Sequence, residues 1–304
     1  MDPTISSSRP VPLLIQVTQA CCEDDVFPIK NAIRLASLPG SRYTVEKVLS
    51  HAVFIAITKS AEKVLSHVLS EGATVPKYSH LPCGEGLPTI PILEILIANG
   101  WDINARHSRK APFLWQALGD HDAVVWALGH GALVQPDGQE PYADHEYLRD
   151  HTDYQPILEQ AVNYNCQIAT LDLLRSRGAP ITARVLHVAV QSAVSSSDAL
   201  IQERIALVGH LLDTYNLDVN AFDQNPENLH SMGNHWGTPL CYVARTFGNC
   251  DAVVKLLLDR GADPDLSSRP PRWSAVTLAE QLGNESFLHV IAKWRKTTYR
   301  NEYV

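Results

Sequence analysis

At 304 residues, 45% of them apolar and 19% charged, the chain can bury a sizeable core and is too apolar to be a disordered polymer. Its net charge of −8 argues against a general DNA- or RNA-binding role. No apolar run reaches the roughly eighteen residues of a membrane span, and the opening MDPTISSSRP lacks the apolar stretch of a secretory signal.

Residues 1–10 read as a polar lead-in, and residues 11–37 as a degenerate first pair of helices. The stretch 45–75, VEKVLSHAVFIAITKSAEKVLSHVLSEGATV, carries apolar residues at helical spacing and ends at Gly72. From 76 to 90 a first helix is missing, while IPILEILIANGWDINA (90–105) keeps a second helix and its stop at Gly100. APFLWQALGDHDAVVWALGHGALV (111–134) has a fuller order: proline, helix, Gly-Asp break, apolar helix, Gly-Ala.

The next copy, QPILEQAVNYNCQIATLDLLRSRGAPI (155–181), starts at Pro156 and stops at Gly178. Residues 183–221 form a looser copy with a longer middle. The clearest is HWGTPLCYVARTFGNCDAVVKLLLDRGADPD (235–265). There Pro239 sits in the first helical turn, where its missing N–H costs nothing, and Thr238 stands as N-cap. Gly248-Asn249 breaks the helix, Val253 to Leu258 build a second one, and Gly261 supplies a left-handed stop. SAVTLAEQLGNESFLHVIAKW (274–294) closes the series with a cap, leaving a basic tail at 295–304. Single helical pairs of this length are too short to stand alone, so they must stack and bury one another's apolar faces.

These copies resemble the ankyrin repeat family, whose unit of about 33 residues opens on Thr-Pro-Leu-His-x-Ala. The resemblance spans residues 11–294 and is strongest at 235–265. It implies an all-α, ankyrin-type solenoid of about seven or eight stacked helix-turn-helix repeats with extended loops. Cys241 and Leu114 stand where the family prefers histidine. The stops Gly72, Gly100, Gly131, Gly178, Asn216 and Gly261 are spaced 28, 31, 47, 38 and 45 apart, so several loops are extended.

The resemblance also implies a function: a non-enzymatic adaptor or regulator that binds a partner segment on its concave face. The position three after the proline faces that side, clear of the core, and reads Trp115, Glu159, His187 and Tyr242 across the copies. Large aromatics there suit a contact surface, although an inserted loop could equally bury Trp115. Two long segments precede first helices. The first, 135–154, holds six acids against one arginine, net −5, interleaved with Tyr142, Tyr147 and Tyr154. It suits a basic partner segment, or it is a loop kept soluble by its charge. The second, 222–236, carries His230, His235 and Trp236 and reads as a structured turn, accounted for by plain turn chemistry or by a tip that touches a ligand. Tyr147 and Trp236 are the expected rim.

The alternative is a cofactor-free enzyme acting on a small molecule by general acid/base catalysis, a lyase, isomerase or cyclase with Glu159, His187 and Tyr242 as proton carriers. No nucleophile elbow, phosphate loop or cofactor fingerprint is present in the sequence. His145 and His151 lie six apart and do not share a helical face, so no metal site is expected. The cysteines at 21, 22, 83, 166, 241 and 250 match neither a zinc pattern nor a disulfide framework. Most of them are expected to be small buried residues in a reducing, intracellular setting, cytoplasmic or nuclear.

Overall fold

The computed structural model describes residues 12–82, 86–105, 111–135, 156–182, 184–195, 199–223, 237–267 and 273–301. All regular structure among them is helical. They fall into two compact units, one within 1–117 and 122–133, the other within 118–121 and 134–304.

The first unit holds α1 Leu13–Glu23, α2 Val26–Ala36, α3 Val45–Lys59, α4 Glu62–Ser70, α5 Ile90–Ala98, α6 Phe113–Ala117 and α7 His121–Gly129, the last apart from its first residue. Helix α1 packs on α3, and α2 on α4, so first helices stack on first helices and second on second. Val17, Ala20 and Cys21 of α1 and Val48, Leu49, Ala52, Val53, Ala56 and Ile57 of α3 form the apolar inward faces. Neighbouring pairs are also laced by polar side chains. Asp24, in a left-handed conformation at φ 49°, reaches forty residues ahead. Its two carboxylate oxygens accept from the backbone N–H groups of Lys63 and Val64 at 3.2 and 3.0 Å. It thereby caps α4, whose own N-cap residue is Ala61. The described residues between α4 and α5 contain no helix, as expected for a repeat that has lost its first one.

The second unit holds α8 Ile157–Asn163, α9 Ile168–Ser176, α10 Val185–Ser195, α11 Ile201–Asp213, α12 Pro239–Arg245, α13 Asp251–Asp259, α14 Ala275–Leu282 and α15 Glu285–Asn301. First helices again stack in chain order, α8 on α10, α10 on α12 and α12 on α14, while α11 packs on α13 and α13 on α15. Pro239 lies in the first turn of α12 as expected, but the Thr238 side chain makes no cap bond and turns to Cys241 Sγ at 3.5 Å. The final helix runs on to Asn301 and takes in most of the basic C-terminal segment.

An amide clamp recurs in both units. Asn104 donates from Nδ2 to the Gly131 carbonyl at 2.8 Å and accepts from the Leu133 N–H at 2.9 Å. Asn220 repeats this with the Gly261 carbonyl at 3.0 Å and the Asp263 N–H at 2.8 Å. The clamp needs the stop glycine to bend back toward it, and Gly131 and Gly261 do so at φ 84° and 85°.

Candidate functional site

Helices α8, α10 and α12 carry Glu159, His187 and Tyr242 at matching positions, each helix packed against the next. The expectation that these side chains stand clear of the core is corrected. Glu159 is 1% exposed, and His187 and Tyr242 are fully buried. The reason is visible in their hydrogen bonds. Each side chain turns toward a chain segment that enters or leaves a neighbouring repeat, and its polar atoms are used there.

Glu159 Oε1 accepts from the Thr182 hydroxyl at 2.6 Å, tying α8 to the segment that opens α10. His187 Nε2 lies 3.0 Å from both the Ala221 and Gly237 carbonyl oxygens. Carbonyls only accept, so Nε2 carries the proton and shares it between them. The Tyr242 hydroxyl donates to Asp223 Oδ2 at 2.7 Å, and its ring meets the His187 ring edge-on at 5.0 Å. Asp223 donates its N–H to the Gly237 carbonyl at 3.1 Å. Its Oδ1 accepts the Gly237 N–H in return at 3.2 Å.

These bonds close one ring. Residues 221–223 and Gly237, the two ends that flank 224–236, are thus held side by side. Gly237 is required in the ring: φ is 108°, and a Cβ would stand 3.2 Å from Cys241 Sγ. Burial pushes the Tyr242 phenol well above the ordinary tyrosine value, and the Asp223 carboxylate pushes it further, against the opposing Arg184 guanidinium. The hydroxyl therefore stays protonated and serves as a fixed donor.

Asp223, Thr182 and Arg184 belong to this cluster and were not among the sequence candidates. Asp223 had one legible signal, an acid at the edge of a long insertion that faces a Thr-Pro-Leu start. Thr182 and Arg184 had none.

Trp115 belongs to the first unit. It lies on α6, is 2% exposed, and so is also corrected from an exposed contact residue to a buried one. The adjacent Gln116 holds the incoming segment there: its Oε1 accepts from the Leu81 N–H at 3.0 Å, and its Nε2 donates to the Leu81 carbonyl at 3.1 Å. Tyr147 and Trp236, with all of 136–155 and 224–236, lie outside the described residues.

Most of the described thiols are buried as expected, while Cys83 lies outside the described residues. Cys21, Cys166, Cys241 and Cys250 are buried, and Cys22 is exposed. Burial pushes Cys21 and Cys166 up to about 12, against the pull of the Arg204 guanidinium at Cys166. Among the described residues no group of three or more His, Cys, Asp or Glu could hold a metal ion. No described helix is long and apolar enough to cross a membrane.

Residues 237–269 match the family model of the ankyrin repeat. No curated protein matches the chain in sequence. Among solved structures, the chain is similar to the crystal structure of the human ASB11 ankyrin repeat domain, at 18% identity and a TM-score of 0.42, over 86% of this chain and 90% of that one.

Proposed function

We propose that this chain, an ankyrin-repeat protein, is a non-catalytic interaction module, an adaptor or regulator that captures a basic segment of a partner protein. Ankyrin repeats are in general protein–protein interaction modules, which sets the class. The finer reading rests on one observation: the pinned ends that flank 224–236. The fold spends a buried histidine, tyrosine and aspartate on holding the two ends of one insertion together. An insertion held only for chain connection gains nothing from such anchoring, whereas a contact segment binds better when its ends are fixed in advance.

In this reading Trp236 on that segment and Tyr147 on the acidic segment 135–154 make the partner contacts. Trp115, Glu159, His187 and Tyr242 act beneath them as positioning residues. The net charge of −5 on 135–154 selects a partner rich in Lys and Arg. The acid/base reading has less support: the Tyr242 proton is committed to Asp223 and the His187 proton to two carbonyls, rather than aimed outward.

Site-specific photo-cross-linking tests this. A photoreactive residue at 147 or at 236 is expected to trap the same protein, and one at Lys255 on α13 is expected to trap none. Tyr147→Ala and Trp236→Ala should each weaken capture by about tenfold, the loss of about one anchoring contact, with unchanged helical content. Equal cross-linking from 255, or capture indifferent to both substitutions, overturns the reading.

A further inference from the structure

Large apolar side chains exposed singly are ordinary on any protein, so their placement is what carries information. In the second unit the described ones are Tyr164, Phe247 and Leu282, exposed by 51%, 65% and 39%. All three stand at the turn between the first and second helix of a pair. Tyr164 caps the C-terminus of α8, Phe247 lies in the turn between α12 and α13, and Leu282 is the last residue of α14. In the first unit, by contrast, exposed apolar residues are spread over helix faces and connections, as at Ile15, Phe54 and Tyr78.

The turn around Phe247 is also held from both sides. Asn284 Nδ2, from the turn after α14, donates to the carbonyls of Ala244 at 2.9 Å and Thr246 at 3.3 Å. The Thr246 hydroxyl donates back to the Tyr242 carbonyl at 2.9 Å. On the other side Gly248 presses on α10 so closely that a Cβ would meet the Val194 carbonyl oxygen at 2.7 Å. Phe247 and Leu282 are thus neighbours on one edge, and Phe247 is presented to solvent from a backbone that cannot easily turn it inward.

The charges on this edge are mostly acidic. Asp251, Glu280 and Glu285, each within a few residues of Phe247 or Leu282 in the chain, are exposed, and Arg245 is half-buried.

We infer that this row of turns in the second unit is a docking edge for an extended peptide segment that carries apolar residues three apart with Lys or Arg between them. The spacing follows from geometry: stacked helices lie about 8–10 Å apart, and an extended chain of polyproline II twist covers about 9 Å in three residues and brings every third side chain back to the same side. Apolar residues at i and i+3 therefore meet Leu282 and Phe247 together, and the intervening basic residues reach Glu280, Glu285 and Asp251. The edge lies at the C-terminal ends of the first helices, whereas the inserted segments of the proposed function join their N-terminal ends. The two surfaces can therefore fail independently.

The test uses the full chain and a fluorescein-labelled peptide, Leu-Lys-Lys-Leu-Lys-Lys-Leu, followed by fluorescence polarisation. Saturable binding is expected, weakened about tenfold by Phe247→Ser or Leu282→Ser. Charge reversal by Glu280→Lys with Glu285→Lys should weaken it further at low salt and less at high salt. Phe247→Tyr should retain binding, and Trp236→Ala should leave it unchanged while still reducing partner capture. Three outcomes overturn the inference: no saturable binding, equal binding of the peptide with Glu in place of Lys, or loss with Trp236→Ala but not with Phe247→Ser. Retention of the chain by phosphatidylcholine–phosphatidylserine vesicles through Phe247, in place of peptide binding, also overturns it, since the edge would then be a lipid contact.

Discussion

The two units fill comparable repeat junctions with different chemistry. At the end of the first unit Phe113 sits between two tryptophans, edge-on to Trp101 at 5.6 Å and to Trp126 at 6.3 Å. The two indole N–H groups of that trio bond to separate partners: Trp101 Nε1 donates to the Tyr78 carbonyl at 3.2 Å, and Trp126 Nε1 to Glu94 at 2.7 Å. In the second unit His187 and Tyr242 also meet edge-on, but their polar atoms point inward to the ring that closes on Asp223 and Gly237. A junction that only stacks helices can be filled with aromatic hydrocarbon. A junction that must also hold together the two ends flanking residues 224–236 takes up buried hydrogen-bonding groups instead.

Removing each filling should break the comparison by different amounts. Phe113→Ala strips a fully buried ring from the aromatic trio and should cost about 3–5 kcal/mol. It should show as a large drop in the denaturant midpoint, with exposure of Trp101 and Trp126 read by fluorescence. If the loss is under about 1 kcal/mol, the trio does not hold the junction.

Tyr242→Phe keeps the ring and deletes one oxygen, so it tests the polar filling alone. The Asp223 carboxylate then loses a buried donor, at a cost of about 1–3 kcal/mol. The loss should be local in character. Amide exchange should speed up at Gly237 and Asp223, whose reciprocal bonds join those two ends, more than at Val254 in the core of α13. Uniform acceleration across the unit would show that the ring of bonds supports general packing and does not anchor the insertion.

The fold was legible in the sequence because its signals are local. Pro239 and the stops at Gly72, Gly100, Gly131, Gly178, Asn216 and Gly261 punctuate the helices, and all six stops adopt the left-handed backbone that a helix end requires. The missing first helix before Ile90 could be read from the absence of periodic residues. The site was only half legible. Repeat alignment correctly placed Glu159, His187 and Tyr242 on successive first helices, yet put them on the wrong side of the solvent boundary. Alignment gives a position along a helix, whereas burial depends on what the following segment brings over it. Thr182 lies 23 residues from Glu159 and Gly237 lies 50 from His187, and no local pattern encodes those meetings.

The smallest effect sharpens the comparison by setting an exposed charge pair beside the buried ring of the same unit. On the second helices Arg260 grips Asp213 at two points, Nε to Oδ1 at 2.8 Å and Nη2 to Oδ2 at 2.7 Å, linking α13 to α11. The Arg260 hydrogen bonds hold the Asp213 carboxyl below the usual carboxylate range. A carboxyl depressed in the folded chain stabilises it above the unfolded-state value, near 3.8, and that stability is lost as pH falls through the folded value. Both groups stand in solvent, so the contribution is small and screened by salt. Asp213→Asn should therefore lower the thermal midpoint slightly at neutral pH and low salt, and the gap from the parent chain should close on acidification below the ordinary aspartate range. Tyr242→Phe should keep its deficit across the neutral range, because the proton it removes does not titrate there. A midpoint gap for Asp213→Asn that persists unchanged into acid would show that the α11–α13 link owes nothing to the carboxylate charge.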